Sequence, residues 1–208
     1  MGRIGTIVAA CAAGALALKA AWDATCPAPA LLRPPGAGAP ARFSSLCVKC
    51  GRCVEACPWQ AISVAPASAG LEVGSPRIQP REQACRLCPD FPCAAACPTG
   101  ALVVPAGLAQ TGMGTAAIDE GRCLSFLGMR CEVCYRACPL IDEAITIDYR
   151  PREGDDIHAV FAPVVHEGAC AGCGLCEQRC PVSDPGPAIW VRPAGEEGGP
   201  AGEPGRQG

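Results

Sequence analysis

Sixteen of the eighteen cysteines in this 208-residue chain fall into four groups, and every group ends in Cys-Pro. The first is Cys47, Cys50, Cys53 and Cys57 before Pro58, and the last is Cys170, Cys173, Cys176 and Cys180 before Pro181. Both are unbroken CxxCxxCxxxCP runs. Between them stand two stretched versions: Cys85, Cys88, Cys93 and Cys97 before Pro98, then Cys123, Cys131, Cys134 and Cys138 before Pro139. No ordinary apolar core asks for thiols at every third residue, so whatever these side chains hold decides how the chain folds.

The spacing is the bacterial ferredoxin run, and a cubane iron–sulfur cluster explains it. Three thiolates two residues apart wrap three corners of the cube. The fourth, three residues further on, is expected to begin a helix pointing away, carrying its sulfur to a neighbouring cluster. Four such sets predict four [4Fe–4S] clusters with the sixteen cysteines as iron ligands. Pro58, Pro98, Pro139 and Pro181 fix φ and remove an N–H donor at each departure point. Gly51 and Gly174, each directly after a second cysteine, have no Cβ and let backbone amides approach the sulfides. Cys88 to Cys93 is widened by Pro89, Asp90, Phe91 and Pro92, and Cys123 to Cys131 by the segment between them; both read as loop insertions in the same plan.

Other uses of cysteine fit worse. A zinc ribbon uses paired CxxC units and has no role for a third cysteine at the same interval or for the trailing xxxCP. Disulfides between cysteines in CxxC steps would close strained small loops. Thioredoxin-type dithiols belong with a βαβ pattern, which this chain does not show.

Aromatic residues are only 4% of the chain, and much of its 50% apolar fraction is Ala and Cys. A scaffold so poor in large side chains relies on bound metal for folding free energy. The 25 glycines and 22 prolines fit loops around clusters better than long helices or wide sheets. The repeat extends past the cysteines: after three Cys-Pro steps a short helical turn is expected, then a β-prone stretch, at Ala61 to Val64, Ala101 to Val104 and Ala144 to Asp148. Ala188 to Val191 closes the fourth repeat. The expected fold class is α+β: two ferredoxin-like modules of short helices and β-hairpins over residues 43–193, with motifs near 43–67, 76–107, 114–149 and 161–192. Residues 194–208 read as a disordered Gly/Pro/Glu tail.

Residues 1–30 read as a signal-like or membrane-anchor leader. Ile4 to Leu18 is uncharged and apolar, flanked by Arg3 and Lys19, with a length nearer a signal-peptide core than a full membrane span. Cys11 and Cys26 fall outside the four sets. Residues 31–42 read as a Pro/Gly linker between leader and folded region.

Several runs between the cysteines make the chain resemble the NapG/MauM family of ferredoxin-type proteins. They are Leu32-Arg33-Pro34-Pro35-Gly36, Pro98-Thr99-Gly100-Ala101-Leu102, Arg130-Cys131-Glu132-Val133-Cys134-Tyr135-Arg136, Ile141-Asp142-Glu143-Ala144-Ile145-Thr146 and Pro163-Val164-Val165-His166. The resemblance spans roughly Leu32 to Arg192 and is nearer to NapG of the periplasmic nitrate reductase system. It implies an electron carrier between a membrane quinol dehydrogenase, NapH-like, and a periplasmic redox enzyme such as nitrate reductase, or the methylamine-utilisation equivalent. It also implies a place on the periplasmic side of the inner membrane, associated through the leader. The twin-arginine signal expected with NapG is not visible, since only Arg3 precedes the apolar run. That signal matters because cubane clusters are inserted in the cytoplasm, so an exported holo-protein crosses already folded.

The chain shows no phosphate loop, no nucleophile elbow and only two histidines, His158 and His166, both read as polar hairpin residues. It is therefore read as an electron carrier and not an enzyme. Trp59, Phe91 and Tyr135, beside cysteines, are expected to shield clusters from water. The formal charge is −3; with each oxidised cluster and its four thiolates adding about −2, the loaded protein stands near −11 in rough estimate, which disfavours nucleic acid and suits basic redox partners. A permanent iron–sulfur subunit of a larger oxidoreductase, or an assembly factor, would use the same cysteine sets. Two pairings also stay open. Adjacent pairing sends Cys97 to the first cluster and Cys57 to the second, with Cys180 and Cys138 exchanged likewise; nested pairing joins the inner motifs to each other and brings Cys57 close to Cys173 and Cys176.

Overall fold

Each Cys-Pro step is where a short helix stops. In the computed structural model, which describes residue 14, residues 30–152 and residues 154–195, α2 (Arg52–Glu55) and α3 (Pro92–Ala95) end just before Cys57 and Cys97. Helices α4 (Val133–Ala137) and α5 (Leu175–Arg179) run directly into Cys138 and Cys180. The helix thus lies between the third and fourth cysteines, where the sequence had been expected to start one at the fourth. Proline is the cause: it disfavours the α region for the residue before it and offers no amide to the next turn. Cys138 and Cys180 accordingly take ψ of 125° and 126°.

Among the described residues, strands form three two-stranded antiparallel sheets. In the first module β1 (Ile62–Val64) pairs with β2 (Pro76–Ile78), Ile62 facing Ile78. In the second, β4 (Ile145–Arg152) and β5 (Asp155–Val165) make a long hairpin. Its outer pair is β3 (Gly114–Ile118) with β6 (Ile189–Pro193), so the strand that opens the second module meets the strand that closes it.

The stretch Ala101 to Val104 is not a strand. By analogy with β3 and β6 its partner would be the segment before motif one, Leu32-Arg33-Pro34-Pro35-Gly36, and two consecutive prolines cannot donate to a ladder. One bond survives there, from the Val103 amide to the Gly36 carbonyl at 3.0 Å. The same segment corrects the linker expectation. Leu32, Arg33, Pro34, Pro35 and Ala37 are buried, Arg33 lies 4.3 Å over the Phe43 ring and pairs with Glu72 at 3.1 Å, and the Ile78 amide donates to the Leu32 carbonyl at 2.7 Å. Residues 40–46 form helix α1 (Pro40–Leu46), opened by a proline suited to a first turn. Cys11, Cys26, most of the leader and everything after residue 195 lie outside the described residues.

The larger core gathers Leu32, Phe43, Ile78, Leu87, Phe91, Leu102 and Met113 of the first module with Ala171, Cys173, Leu175 and Val191 of the second. A smaller one joins Ala116, Cys134, Ile145 and Ile189. Apolar packing is thus spread around the thiols.

Candidate metal centres

Among the described residues four cavities are each lined by four of the sixteen cysteines. The first has Cys47, Cys50, Cys53 and Cys97. The second has Cys57, Cys85, Cys88 and Cys93. The third has Cys123, Cys131, Cys134 and Cys180, and the fourth has Cys138, Cys170, Cys173 and Cys176. In every case three thiols come from one motif and the fourth from its neighbour's Cys-Pro. Adjacent pairing is what the fold adopts; the nested alternative is not, because Cys57 sits with Cys85 and Cys88.

Local geometry produces this exchange. The residue before the second cysteine is left-handed in three motifs: Lys49 at φ 55°, Leu87 at 50° and Gly172 at 66°. That kink turns the CxxC segment back on itself so that consecutive thiols face one space. Gly51 and Gly174, at φ 79° and 81°, start α2 and α5, and Phe91 takes the same left-handed region at the start of α3. Both insertions close up. The Phe91 amide bonds the Cys88 carbonyl at 3.2 Å, while Ser125 Oγ, buried, donates to the Cys131 carbonyl at 2.6 Å and keeps Cys131 in the same cavity as Cys123.

The chemistry of the donors fits an iron–sulfur cluster. Sets of four soft thiolates are the ligands such clusters take. Among the described residues no group of three or more His, Cys, Asp or Glu side chains is placed to hold a single metal ion; the thiols instead surround a space. Backbone amides already point at sulfur, Ala61 to Cys57 Sγ at 3.3 Å and Leu102 to Cys97 Sγ at 3.4 Å. The Nε of Arg86, which lines the second cavity, is buried with no protein partner. A buried cation atom left without an acceptor suits a site whose occupant is anionic.

Burial dominates the thiols' acidity. It pushes Cys85 to about 12, with the Leu87 amide opposing and Cys173, Cys93 and Cys88 adding to the rise. Cys134 reaches about 12 through burial and the field of Cys123, and Cys53, Cys93 and Cys173 each reach about 11 through burial. Cys176 is raised well above its ordinary value for the same reason. Cys97 moves the other way: burial opposes the shift, but the Leu102 amide and the Thr99 hydroxyl outweigh it. Thiols this reluctant to ionise stay protonated without metal, so binding iron releases protons.

Phe91 is buried against the second cavity as expected, and Trp59 lines it while remaining exposed, with Arg86 5.6 Å from its ring. Tyr135 does not line its cavity; its hydroxyl donates to Asp142 Oδ1 at 2.6 Å instead. His166 Nε2 shares a 2.9 Å hydrogen bond with Thr146 Oγ1 on the β4–β5 hairpin, and nothing is described of the His158 side chain. Three residues carry weight that no motif announced. Arg81 donates to the carbonyls of Glu177, Cys180 and Val182 across the modules. Thr111, buried, donates to the Ala171 carbonyl at 2.6 Å. Glu177 is raised to about 7 by burial, with the Val191 amide and Arg81 pulling it down. Among the described residues no helix is long and apolar enough to cross a membrane.

A 4Fe–4S dicluster domain matches this chain twice, over residues 46–101 and 128–183. Cys123 lies outside the second match, yet the fold brings it to the third cavity. Such domains define the class: a ferredoxin-type iron–sulfur electron carrier holding 4Fe–4S clusters. The chain is 45% identical over 165 residues to the ferredoxin-type protein NapG of Escherichia coli, covering 78% of this chain and 70% of that protein. Identity to NapG of Haemophilus influenzae is 46% over 156 residues, 74% of this chain and 56% of the relative, so the chain spans little more than half of that protein's length. The methylamine utilization ferredoxin-type protein MauM of Paracoccus denitrificans is 43% identical over 152 residues, 72% of this chain and 66% of that one. This chain belongs to the NapG/MauM family of ferredoxin-type proteins.

Proposed function

We propose that the chain holds four [4Fe–4S] clusters, one per cavity, and relays electrons from a membrane quinol dehydrogenase to a periplasmic oxidoreductase such as nitrate reductase. The sixteen cysteines named above are the ligands. The observation that carries this reading is the four-by-four sorting of thiols, three from one motif and one from the next, which leaves none of the sixteen without a place. Each cluster, when bound, takes up and passes on one electron. The chain's own residues exclude water with Phe91, Trp59 and the apolar linings, turn amides toward Cys57 and Cys97, and set neighbouring cavities side by side. The apolar leader is assigned to hold the relay at the periplasmic side of the membrane.

Two measurements test this. Anaerobically purified protein should carry about sixteen iron and sixteen acid-labile sulfide per chain. Electron paramagnetic resonance should then show reduction by quinol only in membranes containing the quinol dehydrogenase. Iron near half that amount, stoichiometric zinc, or turnover of quinol or nitrate by the isolated protein would each overturn the reading.

A further inference from the structure

We infer that the four cavities form one unbranched line in the order first, second, fourth, third, with the contact of Cys85 and Cys173 as the crossing between modules. This rests on the reading that each cavity holds a cluster. Order along the chain gives the opposite expectation, since motif three follows motif two. The fold reverses it by pairing β3 with β6, which brings α5 and the loop of motif four against the first module.

The join is built at several levels. The Cys85 amide donates to the Cys173 carbonyl at 3.0 Å, so a ligand of the second cavity and a ligand of the fourth are bridged by one hydrogen bond. Cys173 belongs to the larger core together with Cys93, and Cys57 and Cys85 pack against that core. Around the bond, Arg81 reaches the Glu177 and Cys180 carbonyls at 3.1 and 2.9 Å, Gln178 Nε2 donates to the Glu82 carbonyl at 3.1 Å, and Thr111 holds Ala171. Gly174 leaves no room for a Cβ against Pro80. The third cavity stands on the far side of the fourth: Cys134 and Cys180 pack in the smaller core with Cys138, Cys170 and Cys176.

Transfer along this line makes and breaks no bond; one electron moves from a reduced centre to its oxidised neighbour. Tunnelling falls steeply with distance, so the shortest approach between modules is the route. The first and third cavities are then the two ends, where an outside donor and acceptor exchange electrons, and the second and fourth are interior.

Single-ligand variants read the order. Cys131→Ser removes the third centre and Cys170→Ser the fourth, each leaving about twelve iron. After photoreduction with a deazaflavin, Cys170→Ser should show an isolated, uncoupled spectrum from the third centre beside a coupled pair. Cys131→Ser should show three mutually coupled centres and no isolated one. The reverse pattern overturns the order, while wild-type protein with about eight iron overturns the cluster reading instead. A second measurement keeps all ligands. Gln83→Glu with Gln178→Lys places a carboxylate and an amine where the wild-type side chains approach to 3.4 Å. A zero-length carbodiimide cross-link should join those two peptides in protein that carries about sixteen iron; no cross-link in such protein refutes the join.

Discussion

Replacing Gly36 by alanine should destabilise the loaded protein far more than the same change two residues later. Gly36 sits at φ +82°, and a Cβ there would lie 2.8 Å from the Val103 carbonyl carbon and overlap its oxygen. Its amide donates to Thr111 at 2.8 Å and its carbonyl accepts from Val103 at 3.0 Å. Alanine in the left-handed region costs about 1–2 kcal/mol. Moving Val103 aside adds the loss of its bond to the Gly36 carbonyl, about 1 kcal/mol. The sum is about 2–3 kcal/mol, a large part of the ~5–15 kcal/mol that holds a typical domain together. Gly38 is the control: its φ is +63°, but nothing lies within 4 Å of its Cβ position, so Gly38→Ala incurs only the left-handed term. The assay is anaerobic urea denaturation of loaded protein, with cluster loss followed by visible absorbance at a fixed incubation time, since such unfolding is irreversible. If both variants lose their clusters at the same urea concentration, the close approach of Gly36 to Val103 does not support the first module and the reasoning fails.

Two further perturbations reach other parts of the molecule. Burial works to raise the Glu72 carboxyl, but bonds from Arg33, Ser75 and Ser44 outweigh it and hold the group below its ordinary value; a depressed carboxylate stabilises the fold above the unfolded-state value and loses that contribution as pH falls through the folded one. Amide protection factors over residues 31–46, corrected for the intrinsic exchange rate, should therefore fall as pH drops below 4.5 in wild type, whereas Glu72→Gln should cost about 1–2 kcal/mol at neutral pH and flatten that dependence; parallel pH profiles would refute the pairing. Arg86→Gln removes the cation that lines the second cavity with a buried Nε and should make that centre's midpoint potential more negative by roughly 60 mV, read by redox titration with electron paramagnetic resonance; an unchanged potential would show that the guanidinium does not face the cluster.

The cysteines and their prolines were legible from sequence because two unbroken CxxCxxCxxxCP runs and two stretched ones suit the 4Fe–4S dicluster domain that the chain matches twice. The mix of short helices and strands, with strand stretches expected at 61–64, 144–148 and 188–191, followed from the same repeat, while the stretch expected at 101–104 did not form. What sequence could not separate was adjacent from nested pairing, since Cys57 and Cys97 look alike in either. The decision lies in short-range geometry, in α2 and α3 delivering their closing cysteines across to each other. The Pro/Gly stretch at 31–42 misled for a physical reason. Prolines and glycines mark flexible linkers, but they also suit a segment that must lie flat against a small core, and here Arg33 anchors it to Glu72 and Phe43. Arg81 and Thr111 were invisible because single polar residues with distant backbone partners leave no period or motif.

The left-handed residues show why local propensity and fold disagree around the thiols. Glycine serves at position 172, yet Lys49 and Leu87 occupy the same place in their loops with φ of 55° and 50°, at about 1–2 kcal/mol each. Lys49 recovers part of this by donating Nζ to the Leu71 and Val73 carbonyls at 3.1 and 2.7 Å, tying the motif-one loop to the turn of the β1–β2 hairpin. Leu87 recovers it by burial in the larger core. Both compensations exist only once the module has closed, so the loops gain nothing from bending early. Closure in turn brings together buried thiols that resist ionisation, and metal–thiolate bonding would reward bringing them together. Because Cys173 packs in the core of the first module, closure of the fourth cavity is tied to closure of the second.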